Sequence, residues 1–254
     1  MDIKSIMTRP VATVTRKTTV KEAVKKIVQK NISCVVVAEK KMPIGIFTKF
    51  DVLSVIDSGM DMGTTAIETV MHTPVMPIEE TDDLLSAASQ MERFDVRRFI
   101  IVDAQNRLAG IVTNGDIIKA FAQRAFPYNH PLAALAQPGL TATPKTPLKK
   151  IIRMMIEHRS ASAVILKNNK PAGIITDGVF AKLAAKSAKP LAGSAETKMI
   201  KKFTVAGNDA SLRETVINML KMKTHEIAVT AADGRYFGVI TQRDLVRFIE
   251  KSQL

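Results

Sequence analysis

Three times in the chain a threonine stands three residues ahead of an aspartate, directly after an apolar run: Thr48-Lys49-Phe50-Asp51, Thr113-Asn114-Gly115-Asp116 and Thr241-Gln242-Arg243-Asp244. At a helix start this spacing puts a hydroxyl and a carboxylate one turn apart, and two chemistries use it. In a capping box the threonine bonds a free N–H of the first turn, and the aspartate is favoured by the positive end of the helix dipole. In a nucleotide site the free N–H groups and the hydroxyl favour phosphate, while the aspartate accepts from both hydroxyls of a ribose. Gly45, Gly110 and Gly238, each three residues before its threonine, let the backbone approach closely.

Other constellations are missing from the sequence. There is no Gly-rich phosphate loop with its lysine, no Gly-x-Ser-x-Gly elbow and no His-Glu-x-x-His pair. His72, His130, His158 and His225 lack metal-ligand spacing and read as exposed or structurally satisfied imidazoles. Cys34 is the single cysteine, so an internal disulfide and a Cys-rich metal site are excluded, and its apolar run Cys34-Val35-Val36-Val37 reads as the setting of a buried thiol. The expectation is a protein that is not an enzyme, with no catalytic cofactor and no metal.

The elements that position the three corners repeat. Gly-x-x-Thr recurs at Gly45, Gly110, Gly173 and Gly238, spaced by 65, 63 and 65 residues, and Val20, Leu84, Leu148 and Leu212 follow one another at 64-residue intervals. Each unit reads as a Pro-bearing lead-in or short strand, a helix, two apolar strands and a second helix. Thr19-Val20-Lys21-Glu22 and Ser211-Leu212-Arg213-Glu214 look like capping boxes, and Thr146 before Pro147 is expected to start the third copy's helix with proline in the first turn. The strand pairs are Cys34 to Val37 with Ile44 to Phe47, Phe99 to Val102 with Ala109 to Val112, Ala163 to Leu166 with Ala172 to Ile175, and Ile227 to Val229 with Phe237 to Ile240. A unit of this size buries only about 60% of the surface its unfolded chain exposes, so the units are expected to pair through their sheets. The expected domains are 1–60, 61–126, 127–188 and 189–254, with Gln123 to Pro131 separating the two pairs and Ser187 to Ala195 joining units three and four.

The chain has 254 residues and a formal charge of +13, with 46% hydrophobic residues, which excludes disorder for most of it. Residues 1–127 hold 17 Lys+Arg and 15 Asp+Glu, net +2, and residues 128–254 hold 20 and 9, net +11. Lys182, Lys186, Lys189, Lys198, Lys201 and Lys202 concentrate the excess. Such a field attracts polyanions, whether nucleotide triphosphates, nucleic acid or an acidic protein. No Trp, 2 Tyr and 10 Phe leave few residues for stacking unpaired bases. No apolar run reaches the roughly 20 residues of a membrane span, and the first residues lack a secretion signal, so the expected location is cytoplasmic, without a membrane partner.

On its fourfold unit and its Gly-h-x-Thr-x-x-Asp strings, where h is apolar, the chain resembles the cystathionine β-synthase (CBS) domain family over essentially its whole length. The resemblance implies a mixed fold (α+β or α/β) of four CBS-type β-α-β-β-α repeats, arranged as two pseudo-twofold pairs. It also implies an adenine nucleotide (AMP, ADP or ATP) or S-adenosylmethionine in the clefts, and a homodimer that signals to an effector protein. By position, Thr48, Thr113 and Thr241 contact phosphate and Asp51, Asp116 and Asp244 hold ribose. The adenine would lie near Val11, Ala12 and Thr13, near Val75 and Met76, or near Phe203 and Thr204. Lys49, Arg243, Arg97 and Arg98 are candidates for phosphate, the last two with a surface ion pair to Asp95 as the plain alternative. The third copy departs: Val179 stands where the others have aspartate, so its ribose contact is lost or Asp177 substitutes from another face. The alternative function is a nucleic-acid-binding protein that uses its basic second half.

Overall fold

The computed structural model describes residues 2–122, 130–186, 191–222 and 224–252. Most of the Gln123 to Pro131 connection, part of Ser187 to Ala195, and Lys189 lie outside these residues. The first repeat runs β1 (Thr13–Val14), α1 (Val20–Gln29), β2 (Cys34–Glu39), β3 (Met42–Thr48) and α2 (Lys49–Ser58). The second runs β4 (Ile78–Glu79), α3 (Leu84–Arg93), β5 (Arg98–Val102), β6 (Leu108–Thr113) and α4 (Asn114–Ala122). The third has β7 (Thr141–Ala142), α5 (Leu148–Glu157), β8 (Ser162–Lys167), β9 (Lys170–Thr176) and α6 (Asp177–Lys186). The fourth opens on a short helix, α7 (Ala195–Lys198), before β10 (Val205–Gly207), α8 (Leu212–Met222), β11 (Glu226–Thr230), β12 (Tyr236–Thr241) and α9 (Gln242–Ser252).

Each repeat makes a three-stranded sheet, with the first strand parallel and the third antiparallel to the middle one. The capping box at Thr19 forms as expected, with Glu22 reaching back to the Thr19 N–H at 2.8 Å. The first helix of the third repeat, α5, starts differently. Pro147 is the N-cap itself, and the Thr146 hydroxyl turns away to accept the Thr143 N–H at 3.0 Å. An extended proline needs no donor at that position, so the hydroxyl is free to close the preceding turn.

Strand alternation gives every sheet two buried faces. Val35 and Val37 of β2, with Ala163 and Ile165 of β8, face one helical core built from repeats one and three. Phe99 and Ile101 of β5, with Ile227 and Val229 of β11, face a second core built from repeats two and four. The intervening residues Val36, Ile100, Val164 and Ala228 point the other way and are buried too. Between repeats three and four they meet as a small separate cluster of Val164, Ala228 and Val239. Sheets thus pair within one, two and within three, four, while helices pack one against three, through α1, α2, α5 and α6, and two against four, through α3, α4, α8 and α9.

Candidate functional site

All three Thr-x-x-Asp strings cap their helices. The backbone N–H of the threonine donates to Oδ2 of the aspartate at 2.6 Å in Thr48–Asp51, 2.8 Å in Thr113–Asp116 and 2.8 Å in Thr241–Asp244. The Thr113 and Thr241 hydroxyls donate to the same oxygen at 2.7 Å. Capping therefore engages one carboxylate oxygen and leaves the other to do something else. Among the described residues no hydrogen bond reaches Oδ1 of Asp116 or Asp244. Oδ1 of Asp51 is bonded by His72 Nε2 at 2.7 Å. In the third repeat Val179 supplies no carboxylate, and Asp177 leads α6 with its backbone N–H on Ala161 O.

Backbone bridges show which lead-in lies beside which corner, and the lining is crossed. Thr8 pairs with Ile111 of β6, His72 with Ile46 of β3, Gln137 with Val239 of β12 and Ile200 with Ile174 of β9. Val11 and Ala12 of repeat one thus line the Thr113–Asp116 corner of repeat two, and Thr13 continues from them into β1. Half-buried Val75 and exposed Met76 follow His72 beside the Thr48–Asp51 corner. Phe203 and Thr204 serve the corner without a carboxylate. The complete corner of repeat four faces Gln137, Pro138, Gly139 and Leu140, which sequence reading passed over because their copy lacks the methionine and the aspartate of the others.

Corners two, three and four open into one cavity of about 2250 Å³, lined by all four repeats. Lys49, Arg97, Arg98, Lys182, His225 and Arg243 reach its wall, as does Asp177. Lys49 Nζ would lie 3.8 Å from a Cβ at Gly178, which puts it against the start of α6. Burial lowers the pKa of Lys49, against the upward pull of Asp177, and burial also lowers that of Arg97. Arg97 is exposed on the cavity wall. Asp177 lies among Lys49, Arg97, Arg98 and His225; burial pushes its pKa up, and their charges pull it down by less. Glu226, opposite Thr241, is pushed up by burial and bonded by the Ser162 hydroxyl.

The surface ion pair between Arg97 or Arg98 and Asp95, the plain alternative to a phosphate role, does not form among the described residues. Asp95 pairs with Arg243 and Arg159. Arg243 also faces Glu92, with its Nε 3.6 Å from Oε2, across the packing of repeat four on repeat two, and Arg97 donates from Nη2 to Arg159 O at 3.4 Å. Arg98, paired in register with Thr113, has Nε and Nη1 buried without a partner.

A family model for the CBS domain matches residues 3–58, 67–123, 134–184 and 194–251. The chain belongs to the CBS-domain family. The CBS domain-containing protein YhcV of Bacillus subtilis is 35% identical over 116 residues, 45% of this chain and 81% of that protein. An uncharacterised protein of Methanopyrus kandleri is 38% identical over 88 residues, 34% of this chain and 45% of that one. The L-aspartate semialdehyde sulfurtransferase of Methanosarcina acetivorans is 26% identical over 48% of this chain, which spans only 24% of the enzyme. In structure, protein MJ1225 of Methanocaldococcus jannaschii matches 98% of this chain and 100% of its own with a TM-score of 0.90 at 19% identity, which shows the shared fold. No helix among the described residues is long and apolar enough to cross a membrane.

The crossed lining explains the glycines of the CBS repeats. A Cβ at Gly110 would fall 2.4 Å from Met7 Sδ, and one at Gly45 2.3 Å from Met71 Sδ, so the close approach is made by the neighbouring repeat's lead-in. At Gly238 the same Cβ would meet the Gln137 carbonyl oxygen at 2.8 Å, and that carbonyl accepts the Val239 N–H. A methionine side chain can swing aside and a bridged backbone cannot. Gly238→Ala is accordingly expected to destabilise by about 1–3 kcal/mol and Gly110→Ala by clearly less. Urea denaturation of the two variants checks this, and an equal loss would refute the backbone argument.

Proposed function

We propose that this CBS-domain protein is a non-catalytic regulatory sensor of adenine nucleotides, with its principal sites at the corners of Asp116 and Asp244. The observation that carries the reading is at corner two. There a carboxylate oxygen left free by the cap stands at the same strand-to-helix turn as a buried guanidinium lacking partners for two of its nitrogens. A ribose answers the first and a phosphate the second, and the half-buried Val11 and Ala12 offer an apolar wall and backbone groups for the base. Protein MJ1225, which shares the fold, is described as a candidate archaeal homologue of the γ chain of AMPK.

One chain supplies all four repeats around the cavity, so a second copy is not required to complete a site. Signalling to an effector protein requires that the ligand favour one arrangement of the repeats over another. Calorimetric titration with AMP, ADP, ATP and S-adenosylmethionine tests the reading. Saturable heat with a nucleotide and none with an unrelated anion supports it, and no heat with any of the four ends it.

The cavity's charge adds an expectation about phosphate number. Asp177 lies among Lys49, Arg97 and Arg98 and, when ionised, offsets part of their field, so Asp177→Asn leaves these cations for the ligand. It should tighten ATP about tenfold and leave adenosine unchanged. Equal effects on both ligands, measured by calorimetry, would show that Asp177 acts only through packing.

A further inference from the structure

The first corner differs from the second and fourth in one respect that its Thr-x-x-Asp string does not reveal. Both oxygens of Asp51 are engaged: Oδ2 by the Thr48 N–H at 2.6 Å and Oδ1 by His72 Nε2 at 2.7 Å. Asp51 is buried at 7% exposure, whereas the His72 side chain is 70% exposed and covers the carboxylate from the solvent side. The lead-in residues at the equivalent bridges are Thr8, Gln137 and Ile200. Among the described residues none of these bonds the aspartate of its corner, so the arrangement is peculiar to the first repeat.

A ribose diol and this imidazole need the same lone pairs. We propose that His72 is a proton-controlled latch over a third adenosine site, formed by Thr48, Asp51 and the Val75–Met76 segment, which opens when the imidazole leaves Asp51. The proposal rests on the reading that the free carboxylates of corners two and four hold ribose. The latch is anchored at its base, because His72 and Ile46 exchange backbone hydrogen bonds at 2.9 and 3.1 Å and the Thr73 hydroxyl donates to Ile44 O at 2.9 Å. Opening therefore needs only a side-chain rotation into water. No strand needs to move.

The charge of the latch follows from its surroundings. β3, which carries the bridge, has no ionisable side chain, and of the groups on α2 only Asp51 couples to His72. The hydrogen bond to Asp51 and its charge raise the His72 pKa, against partial burial. A raised histidine pKa means that the charged pair is fully formed below the ordinary value of about 6.5 and is lost as pH rises through the folded-state value. The first corner is therefore held by a charged hydrogen bond in acid and only by a weaker neutral one toward alkaline pH, where a ribose displaces it more readily. Corners two and four, which lack an imidazole on their aspartates, provide an internal reference.

Calorimetry with AMP, at about pH 6 and about pH 9, reads the latch as a stoichiometry. The wild-type protein is expected to bind at two sites at the lower pH and to gain a third, at least about tenfold weaker there, at the higher. His72→Ala should show three sites at both pH values, and adding Asp51→Ala should return it to two. His72→Gln, which keeps a neutral donor, should lose the pH dependence, and thermal melts would report whether each variant is folded. Two sites at both pH values in folded His72→Ala would overturn the latch, as would loss of a site, which would make the imidazole a ligand contact. Corners two and four silent in the wild-type protein would instead remove the reading beneath it.

Discussion

At about pH 6, where the first corner is closed, Asp116→Ala combined with Asp244→Ala is expected to abolish the thermal stabilisation of the protein by ATP, and each single variant to halve the number of sites. A ligand at one hundred times its Kd stabilises by about 2.7 kcal/mol per site, which in a chain of this size raises the melting temperature by roughly 5–10 °C. Removing the carboxylate also removes the acceptor of the Thr113 or Thr241 N–H, at a cost of about 0.5–2 kcal/mol per helix start. The baseline of the double variant will therefore fall whatever the corners do. The diagnostic quantity is the increment on adding ligand. Asp116→Asn with Asp244→Asn separates the two roles, because an amide oxygen can still accept the cap while the charge that favours a ribose diol is gone. Scanning fluorimetry of wild type, double alanine and double asparagine variants gives the result. An undiminished increment in the double alanine variant would mean that these corners are helix starts and nothing more.

The corners themselves were legible in the sequence because both of their roles depend on residues three apart. A capping box is local, and a repeat of 64 residues fixes which strand precedes it, so four sheets and three carboxylates could be read directly. The crossed lining could not be read in that way. Whether the Met7-Thr8-Arg9-Pro10 lead-in lies over its own corner or over the neighbour's depends on which strand edge it bridges, and a strand edge is chosen by tertiary packing. A signal was present nonetheless. Met7, Met71 and Met199 belong to lead-ins that cover Gly110, Gly45 and Gly173, and the third copy's lead-in, with Ala136 in place of methionine, is the one that covers its glycine, Gly238, with backbone. His72 reads in the sequence only as an exposed or structurally satisfied imidazole, for the opposite reason. Its spacing to any other histidine or carboxylate is uninformative, because its partner Asp51 lies across a bridge between repeats. Pro147 misled because an extended proline serves equally well one position earlier than the first helical turn.

The second large effect concerns how the two helical cores communicate. Phe180 is fully buried in the core of repeats one and three, and Phe180→Ala is expected to cost about 3–5 kcal/mol, lowering the melting temperature by on the order of 10 °C. Two separate cores would ordinarily melt separately, so that repeats two and four survived the lesion. The lead-ins argue otherwise, because each repeat leaves an anchor in the core to which it does not belong. Ile3 and Leu132, from repeats one and three, are fully buried in the core of repeats two and four, while Ile67 and Ala195, from repeats two and four, are fully buried in the core of repeats one and three. The anchors are held by backbone bonds, such as Ile67 N–H to Thr18 O at 2.8 Å and Ala195 N–H to Thr146 O at 2.9 Å. Melting one core therefore pulls two buried side chains out of the other and frees the segments that line its corners. Phe180→Ala should lower one cooperative transition observed alike by circular dichroism and calorimetry, and it should weaken nucleotide binding at higher temperature even though Phe180 lines no corner. Two resolved transitions, with only the lower one shifted, would show that the anchors are too weak to couple the halves.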